Sequence, residues 1–211
     1  MVVANLIAAV VAAGAGVTVW TLLRRLNPPR LEGAVLTPPM PAYDFHLRDA
    51  AGRVVSLSAF RGKVVALTFL YTHCPDVCPL IADNMRVVQQ NLGGVASRVA
   101  FVAISVDPRG DTPAAVREFL RVHRVEQMLT FLIGSSAELR PVWAHYYVGS
   151  DAKEVNPEAA AASNPSPQQV GHTAIVYVID PKGYIRTFLP GNFDPKDLAT
   201  DFRLLASGRV R

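Results

Sequence analysis

Four short apolar runs, rich in β-branched and aromatic residues, most strongly limit the fold of this chain. They cover residues 64–70, 99–106, 130–134 and 174–180. Their hydrophobicity is continuous rather than alternating, which is typical of strands that are covered on both faces of a sheet. The apolar spacing between the runs is helical, over residues 79–91, 112–123 and 136–147. Alternating strands and helices predict an α/β domain with a central sheet.

Shorter signals complete the predicted domain. Residues 43–57 read as an N-terminal hairpin with a turn at Ala51 and Gly52. A turn at residues 180–183 makes the last two strands a second hairpin, and an amphipathic helix closes the domain. Residues 149–169 have no apolar period and are rich in alanine, proline, serine and asparagine. We therefore predict one long loop insertion there.

The N-terminal region differs in composition from the predicted domain. Residues 2–23 carry no charge and are long enough to cross a bilayer as a helix, which predicts a transmembrane anchor or uncleaved signal over residues 1–24. A cleavable secretory signal is the alternative, because small residues at 13–16 suit a peptidase. Residues 25–42 contain five prolines and are predicted to be an extended linker. The domain would then cover residues 43–208.

The charges give two further indications. Lysine and arginine number 21 against 17 aspartates and glutamates, and the basic residues are scattered along the 211-residue chain. Because they form no cluster, a nucleic-acid partner gains little support. Arg24 and Arg25 directly follow the apolar span. The positive-inside tendency, taken alone, would place them and the domain in the cytoplasm.

The chain has only two cysteines, Cys74 and Cys78, and each precedes a proline. Proline disfavours helical backbone in the residue before it and is tolerated at the start of a helix. We therefore predict that a helix begins near Pro79, that both cysteines have extended backbones, and that Cys78 caps the helix. A helix N-terminus lowers the pKa of a nearby thiol, which favours a reactive or metal-ligating thiolate. A structural disulfide is the alternative, although so small a loop gains little stability from it.

Two thiolates leave a metal ion short of ligands, so the five histidines are candidates for a third. His172 lies between the insertion and a buried strand, in a loop at a sheet end that neighbouring strands could bring near the cysteines. His73 is adjacent to Cys74 and is a candidate for tuning it. The remaining three are interpreted as ordinary surface or packed residues; they are His46, His123 and His145.

Three segments carry a family resemblance, residues 62–80, 104–113 and 171–183. Over about residues 43–205, the chain resembles the Sco/SenC family of thioredoxin-like copper chaperones. The most specific element is a C-x3-C motif within T-x-C-P-D-V-C-P, since a thioredoxin redox site has the shorter C-x-x-C. The resemblance implies a thioredoxin-like α/β fold whose central mixed sheet is flanked by helices. It also implies a membrane-tethered chaperone for the dinuclear copper centre of cytochrome c oxidase.

Carried onto this chain, the resemblance implies copper ligands at Cys74, Cys78 and His172. Soft thiolates select Cu(I) and imidazole accepts Cu(I) and Cu(II), so both oxidation states suit this set, and zinc is the main competitor. The family's second motif falls on Asp107 and Asp111, which we interpret as turn and helix-start residues. The chain departs from the family at Gly171, where an acidic residue is usual, and in the order of "PRGDTP".

The implied partner is the copper-site subunit of cytochrome c oxidase, with other copper chaperones as further candidates. The implied location is a bacterial inner membrane with the domain in the periplasm, opposite to the indication from the two arginines. A thiol:disulfide oxidoreductase that reduces the target's cysteines is the alternative function, because it needs the same two thiols. A peroxidase has less support, since only one threonine and a scattered arginine accompany Cys74.

Overall fold

The computed structural model describes residues 29–148 and 174–210, which form one mixed sheet of eight strands. In chain order the strands are β1 (Ala34–Pro41), β2 (His46–Asp49), β3 (Val54–Ser56), β4 (Val64–Leu70), β5 (Val99–Ser105), β6 (Leu129–Ile133), β7 (Ile175–Ile179) and β8 (Tyr184–Pro190). The α-helices of the described part are α1 (Val77–Asn91), α2 (Pro113–His123), α3 (Ser136–His145) and α4 (Pro195–Ala206). Short 3-10 helices cover Leu57–Phe60 and Gly93–Arg98.

The centre of the sheet is parallel and its flanks are antiparallel. The strand order is β1-β8-β7-β4-β5-β6-β2-β3, with β4, β5 and β6 parallel. All seven residues of β4 and all seven of β5 are buried. This confirms the prediction that the continuous apolar runs are covered on both faces. Each fully buried leucine or phenylalanine there contributes roughly 2 kcal/mol.

Both predicted hairpins are present. Strands β2 and β3 pair antiparallel, with His46 opposite Ser56, and the turn between them contains Gly52 at a φ of 82°. Strands β7 and β8 also pair antiparallel. The predicted closing helix is α4, which buries an apolar face. The α/β fold with a central mixed sheet is therefore as predicted.

The predicted linker is partly wrong, because residues 34–41 form β1, which pairs antiparallel with β8. Just before it, Leu31 is 8% exposed and belongs to the core. Prolines suggested a linker, but β1 is an edge strand and its register shifts between Val35 and Met40. Proline is tolerated at sheet edges and bulges because few ladder hydrogen bonds are lost there. The packed domain thus begins before Tyr43.

The predicted start of α1 is also wrong. The helix begins at Val77 with Asp76 as its N-cap, so Pro79 is the third helical residue. The first four backbone N–H groups of a helix have no intrahelical acceptor, so a proline there removes no helical hydrogen bond. The carbonyl that its ring would meet, four residues back, precedes the helix. Cys78 consequently has helical rather than extended backbone and does not cap the helix.

Several predictions concern residues outside the described part of the chain. These are the apolar span over 1–24, the insertion over 149–169, Gly171 and His172. Between residues 29 and 148 and between 174 and 210, no helix combines the length and the apolar character needed to cross a bilayer.

Candidate metal centre

The two cysteines lie together where β4 leads into α1. The backbone N–H of Cys74 donates to the Tyr71 carbonyl at 3.3 Å, which folds the connecting loop back on itself. The backbone N–H of Cys78 donates to Cys74 Sγ at 3.4 Å. No disulfide joins the two cysteines, and their exposed fractions are 8% for Cys74 and 0% for Cys78. Two sulfur side chains therefore share one sheltered corner of the sheet.

Helix periodicity explains why Cys78 is so deeply buried. The buried residues of α1 lie on one face of the helix, and they are Cys78, Ile81, Ala82, Met85 and Val88. Residues three and four apart share a helical face, so Cys78 is the first member of the stripe that packs on the sheet. Cys74 precedes the helix and lies nearer the surface.

These environments move the pKa values of the two thiols in opposite directions. Burial raises the pKa of Cys74, but hydrogen bonds from the backbone N–H groups of Asp76 and Cys78 outweigh it, and the net pKa is lowered. Burial is also the largest influence on Cys78, and it raises that pKa far above the usual range. The expected lowering thus holds for Cys74 and is wrong for Cys78, because the desolvation of a fully buried thiolate exceeds the benefit of a helix N-terminus.

Tyr71 is a residue of this site that sequence reasoning missed. Its side chain is 6% exposed and lies beside Cys74. Burial, with a further contribution from Cys74, raises the pKa of Tyr71 to about 12. The available signal was a polar aromatic residue three positions before Cys74, at the end of a buried strand.

Asp111 fastens the cysteine loop to the neighbouring strand. It is 4% exposed, accepts from the backbone N–H of Thr72 at 2.8 Å and accepts from Ser105 Oγ at 2.5 Å. Burial raises the pKa of Asp111 in spite of these bonds. The helix-start interpretation is wrong for this residue, because Thr112 is the N-cap of α2. Asp107 does fulfil its predicted turn role, accepting from the Gly110 backbone N–H at 3.0 Å.

Gly110 accounts for the departure in the second motif. A Cβ atom at this position would lie 2.2 Å from Asp107 Oδ2 and 3.1 Å from His73 Nδ1. Any larger residue would therefore require the Asp107 side chain to move. The glycine therefore allows the loop after β5 to approach the loop that carries Cys74.

The other described histidines are ordinary packed or surface residues, as predicted. His123 Nδ1 lies 3.4 Å from Asp83 Oδ1, and the His145 ring stacks on Tyr43 with centroids 3.7 Å apart. His46 lies on β2. Among residues 29–148 and 174–210, no group of three or more histidine, cysteine, aspartate or glutamate side chains could hold a metal ion.

The described chain resumes at Ala174, close to the cysteines. The backbone N–H of Gly191 donates to the Ala174 carbonyl at 2.8 Å. A Cβ atom on Gly191 would lie 2.7 Å from Ala174 Cβ and 2.9 Å from Val77 Cγ2, so Ala174 is next to the first turn of α1. Strand β7 therefore starts at the sheet edge where β4 ends.

Comparison with known proteins identifies relatives of this arrangement. A model of the family described as SCO1/SenC matches residues 37–207. The bovine mitochondrial SCO2 homolog is 31% identical over 144 residues, covering 66% of this chain and 50% of the relative. A SCO2-like protein of Rickettsia conorii is 26% identical over 147 residues, covering 69% of this chain and 67% of the relative. The chain thus spans between one half and two thirds of the length of these two proteins.

A solved structure supports the same relationship. Bradyrhizobium japonicum ScoI with copper bound is 29% identical, with a TM-score of 0.64, and the match covers 78% of this chain and 99% of that one. Sco structures are thioredoxin-like, so this likeness confirms the predicted fold class.

Proposed function

Since the chain belongs to the SCO1/SenC family, we propose that it is a copper chaperone for the dinuclear copper centre of cytochrome c oxidase. The Sco family is involved in copper assembly of that oxidase, and the related ScoI structure holds copper. One observation carries the proposal, namely the contact between the Cys78 backbone N–H and Cys74 Sγ at 3.4 Å in a sheltered corner. Paired sulfur donors are the set that a soft ion such as Cu(I) prefers.

In this proposal Cys74, Cys78 and His172 hold the ion. The register of β4 with β7, in which Thr68 faces Val176, supports the third ligand. Strand β7, which begins three residues after position 172, starts at the end of the sheet where β4 leads into the cysteine loop. An imidazole there would complete a Cys2His set that suits both copper oxidation states.

Residues 1–24 would tether the domain to a bacterial inner membrane, with the domain on the periplasmic side. The uncharged run over residues 2–23 and the bacterial relatives support this location. There the domain would pass copper to the copper-site subunit of the oxidase, with other copper chaperones as donors. A reporter fused after Arg211 should be active only in the periplasm. Reporter activity in the cytoplasm would contradict both the proposed topology and the proposed delivery of copper to the oxidase.

Metal analysis of residues 29–211 tests the ligands. After anaerobic reduction and exposure to copper and zinc, we expect about one copper ion per chain in the dithiol form and none in the disulfide form. The Cu(II) form should show intense thiolate-to-copper absorption, which Cys74→Ser and Cys78→Ser should each abolish. If the disulfide form took up copper equally tightly, the two cysteines would not be ligands. If the reduced protein bound zinc in preference to copper, the assignment of copper as its metal would be wrong.

Thiol:disulfide exchange is a second candidate function. The lowered pKa of Cys74 beside a fully buried Cys78 favours it, because an attacking thiolate next to a resolving thiol is the arrangement of dithiol oxidoreductases. His172→Ala separates the two functions. We expect this variant to lose tight copper binding and to keep disulfide exchange, since exchange needs no imidazole. Unchanged copper affinity would exclude His172 as a ligand.

A further inference from the structure

We propose that the end of the sheet opposite the cysteines is a binding surface for an anionic lipid bilayer. Six exposed cations define this surface, which we call the basic end; they are Arg61, Lys63, Arg98, Lys182, Arg203 and Arg209. A domain bound in this way would present its cysteines to the aqueous side of the membrane. The inference goes beyond the proposed copper function.

Strand pairing gathers cations that are far apart in sequence. Lys63 directly precedes β4 and Arg98 directly precedes β5, and these two strands pair in parallel from their first residues. Strand β7 runs antiparallel to β4, so it ends where β4 begins, and Lys182 lies in the turn that follows it. The Gly62 backbone N–H donates to the Pro181 carbonyl at 3.0 Å and joins this turn to the segment before β4.

Helices α1 and α4 end at the same place and add the other arginines. Arg98 Nη1 donates to the Ala206 carbonyl and Arg203 Nη2 donates to the Asn91 carbonyl, each at 2.6 Å. Arg209 follows α4 directly after its last turn. Carbonyls at a helix C-terminus lack intrahelical partners, so Arg98 and Arg203 also have a structural role. The two lysines are therefore the better probes of the surface.

Almost no exposed acidic side chain offsets these cations. The basic end is built from residues 61–63, 91–98, 180–184 and 203–210. The one acidic residue in these segments, Asp180, is 8% exposed and forms an ion pair with Arg186. Asp44 lies nearby, and its carboxylate accepts from the backbone N–H groups of Ser58 and Phe45, each at 3.0 Å. The exposed charge of this end is thus almost entirely positive.

The start of the described chain makes a bilayer the favoured partner. The uncharged run over residues 2–23 is the proposed membrane anchor. The Glu32 backbone N–H donates to Asp201, which lies about 8 Å along α4 from the last residue of that helix. Residues 24–32 can extend over about 26 Å. The anchor can therefore lie in the same bilayer that the basic end contacts.

The cysteines lie beyond the reach of this attraction. Each lysine or arginine near an anionic membrane surface strengthens binding about fivefold, and the attraction falls off within a Debye length of about 8–10 Å. The seven residues of β4 span about 20 Å, and the cysteine loop follows them. Tyr184, which is 41% exposed, lies at the basic end, and tyrosine is enriched at membrane interfaces.

The test measures how residues 29–211 bind to lipid vesicles. This fragment contains the whole described sheet and lacks the apolar run, which would itself bind lipid. Vesicles of phosphatidylcholine are compared with vesicles that also contain an equal amount of phosphatidylglycerol, and bound protein is measured by sedimentation at several salt concentrations. We expect binding only to the anionic vesicles, with an affinity that falls as the salt concentration rises. No binding at low salt would overturn the proposal.

Two double variants of equal net charge locate the binding surface. Lys63→Glu with Lys182→Glu reverses two cations that form no ion pair within the described part of the chain. Arg109→Glu with Lys196→Glu reverses two exposed cations at the cysteine end, in the loop after β5 and in the first turn of α4. Urea unfolding checks that both variants are folded.

We expect the first variant to bind anionic vesicles about twentyfold more weakly than the wild type, or weaker still, and the second to lose much less. Equal losses would show that net charge alone attracts the protein, and the proposal would fail. Duplex DNA of mixed sequence is the competing polyanion. Tighter binding to DNA than to the anionic vesicles at the same salt concentration would assign the basic end to nucleic acid instead.

Tryptophan emission tests the orientation of the bound domain. Trp143 is the only tryptophan of residues 29–211, and its indole donates to the Ser105 carbonyl at 2.9 Å, at the cysteine end. A lipid with a spin label on its headgroup quenches nearby tryptophans. We expect it to quench the added emission of Tyr184→Trp and to leave Trp143 of the wild type unchanged. Quenching of Trp143 in the wild type would contradict the orientation.

These measurements use metal-free protein, so they do not depend on the proposed function. A protein that bound anionic vesicles but no copper would lose the proposed chaperone function and keep the basic end as a membrane surface. A protein that bound copper but no vesicles would lose only the membrane surface.

Discussion

At the scale of single residues, the two cysteines differ more than their shared motif suggests. Cys74 lies in the connecting loop and accepts several hydrogen bonds, while Cys78 belongs to the buried face of α1. The first is prepared to be a thiolate and the second to remain a thiol. A metal ion that binds both must displace the proton of Cys78.

Copper binding should therefore strengthen as pH rises. The pKa of Cys78 is raised, so its thiol is protonated around neutrality and loses its proton only when the metal binds. At pH values between the pKa of Cys74 and that of Cys78, each copper ion that binds releases one proton. The dissociation constant for copper should then fall about tenfold per pH unit. Below the pKa of Cys74, two protons are released and the dependence should approach about a hundredfold.

Competition with a chelator of known pH dependence measures this slope. A dissociation constant that is independent of pH in the wild type would show that Cys78 keeps its proton and is not a ligand.

At the scale of elements, the loop after β5 supports the loop after β4. Asp111 bonds to Thr72 across 39 residues of sequence, and Gly110 leaves room for His73. Neither partnership is visible from spacing, because each depends on the parallel pairing of two strands. The sequence did predict those strands, since their apolar runs are continuous. It could not predict the side-chain contacts between the loops that follow them.

Gly110→Ala should therefore disturb the cysteine loop. The added methyl group would collide with the Asp107 carboxylate and approach the His73 ring, and overpacking of this kind typically costs about 1–3 kcal/mol. Gly94→Ala is the matched control, because a Cβ atom there meets nothing within 4 Å. Urea unfolding of both variants measures the difference. Equal stabilities would contradict the close approach of the two loops.

A buried carboxylate on α4 binds the backbone of the segment that precedes β1. Asp201 is 0% exposed and accepts from the Glu32 backbone N–H at 2.7 Å and from that of Gly33 at 3.3 Å. Burial raises the pKa of Asp201 to about 6 in spite of these bonds, and the charges of Glu32 and Asp197 raise it further. The ionised carboxylate thus carries a desolvation cost.

The stability of the protein should reflect this cost. Because the folded pKa of Asp201 lies above its unfolded value of about 4, its stabilising contribution is complete below pH ~4 and is lost as pH rises through about 6. Asp201→Asn cannot ionise. The free energy of unfolding of the wild type, relative to this variant, should therefore decrease between these pH values. Urea unfolding across the range measures it, and parallel profiles would contradict the prediction.

At the scale of the whole molecule, the sequence predicted the centre of the domain better than its start. Strands β4 and β5 are buried on both faces, so burial alone fixes their composition, and their pattern is easily recognised. Strand β1 is almost entirely exposed and carries three of the prolines that suggested a linker. Its position depends on pairing with the edge of β8, which lies about 150 residues later in the chain. The local sequence pattern of residues 34–41 cannot reveal a pairing with so distant a strand.

The start of the domain can be tested by truncation. A fragment of residues 43–211 corresponds to the domain that the sequence predicts, and 29–211 to the domain that the structure describes. The shorter fragment lacks the burial of Leu31, worth roughly 2 kcal/mol, and the two backbone donors to Asp201. It also exposes the edge of β8, and unpaired edge strands promote aggregation. We expect 43–211 to be less stable by about 2–4 kcal/mol in urea unfolding and to scatter more light at high concentration. Superimposable unfolding curves would show that β1 is dispensable and that the domain begins near Tyr43 after all.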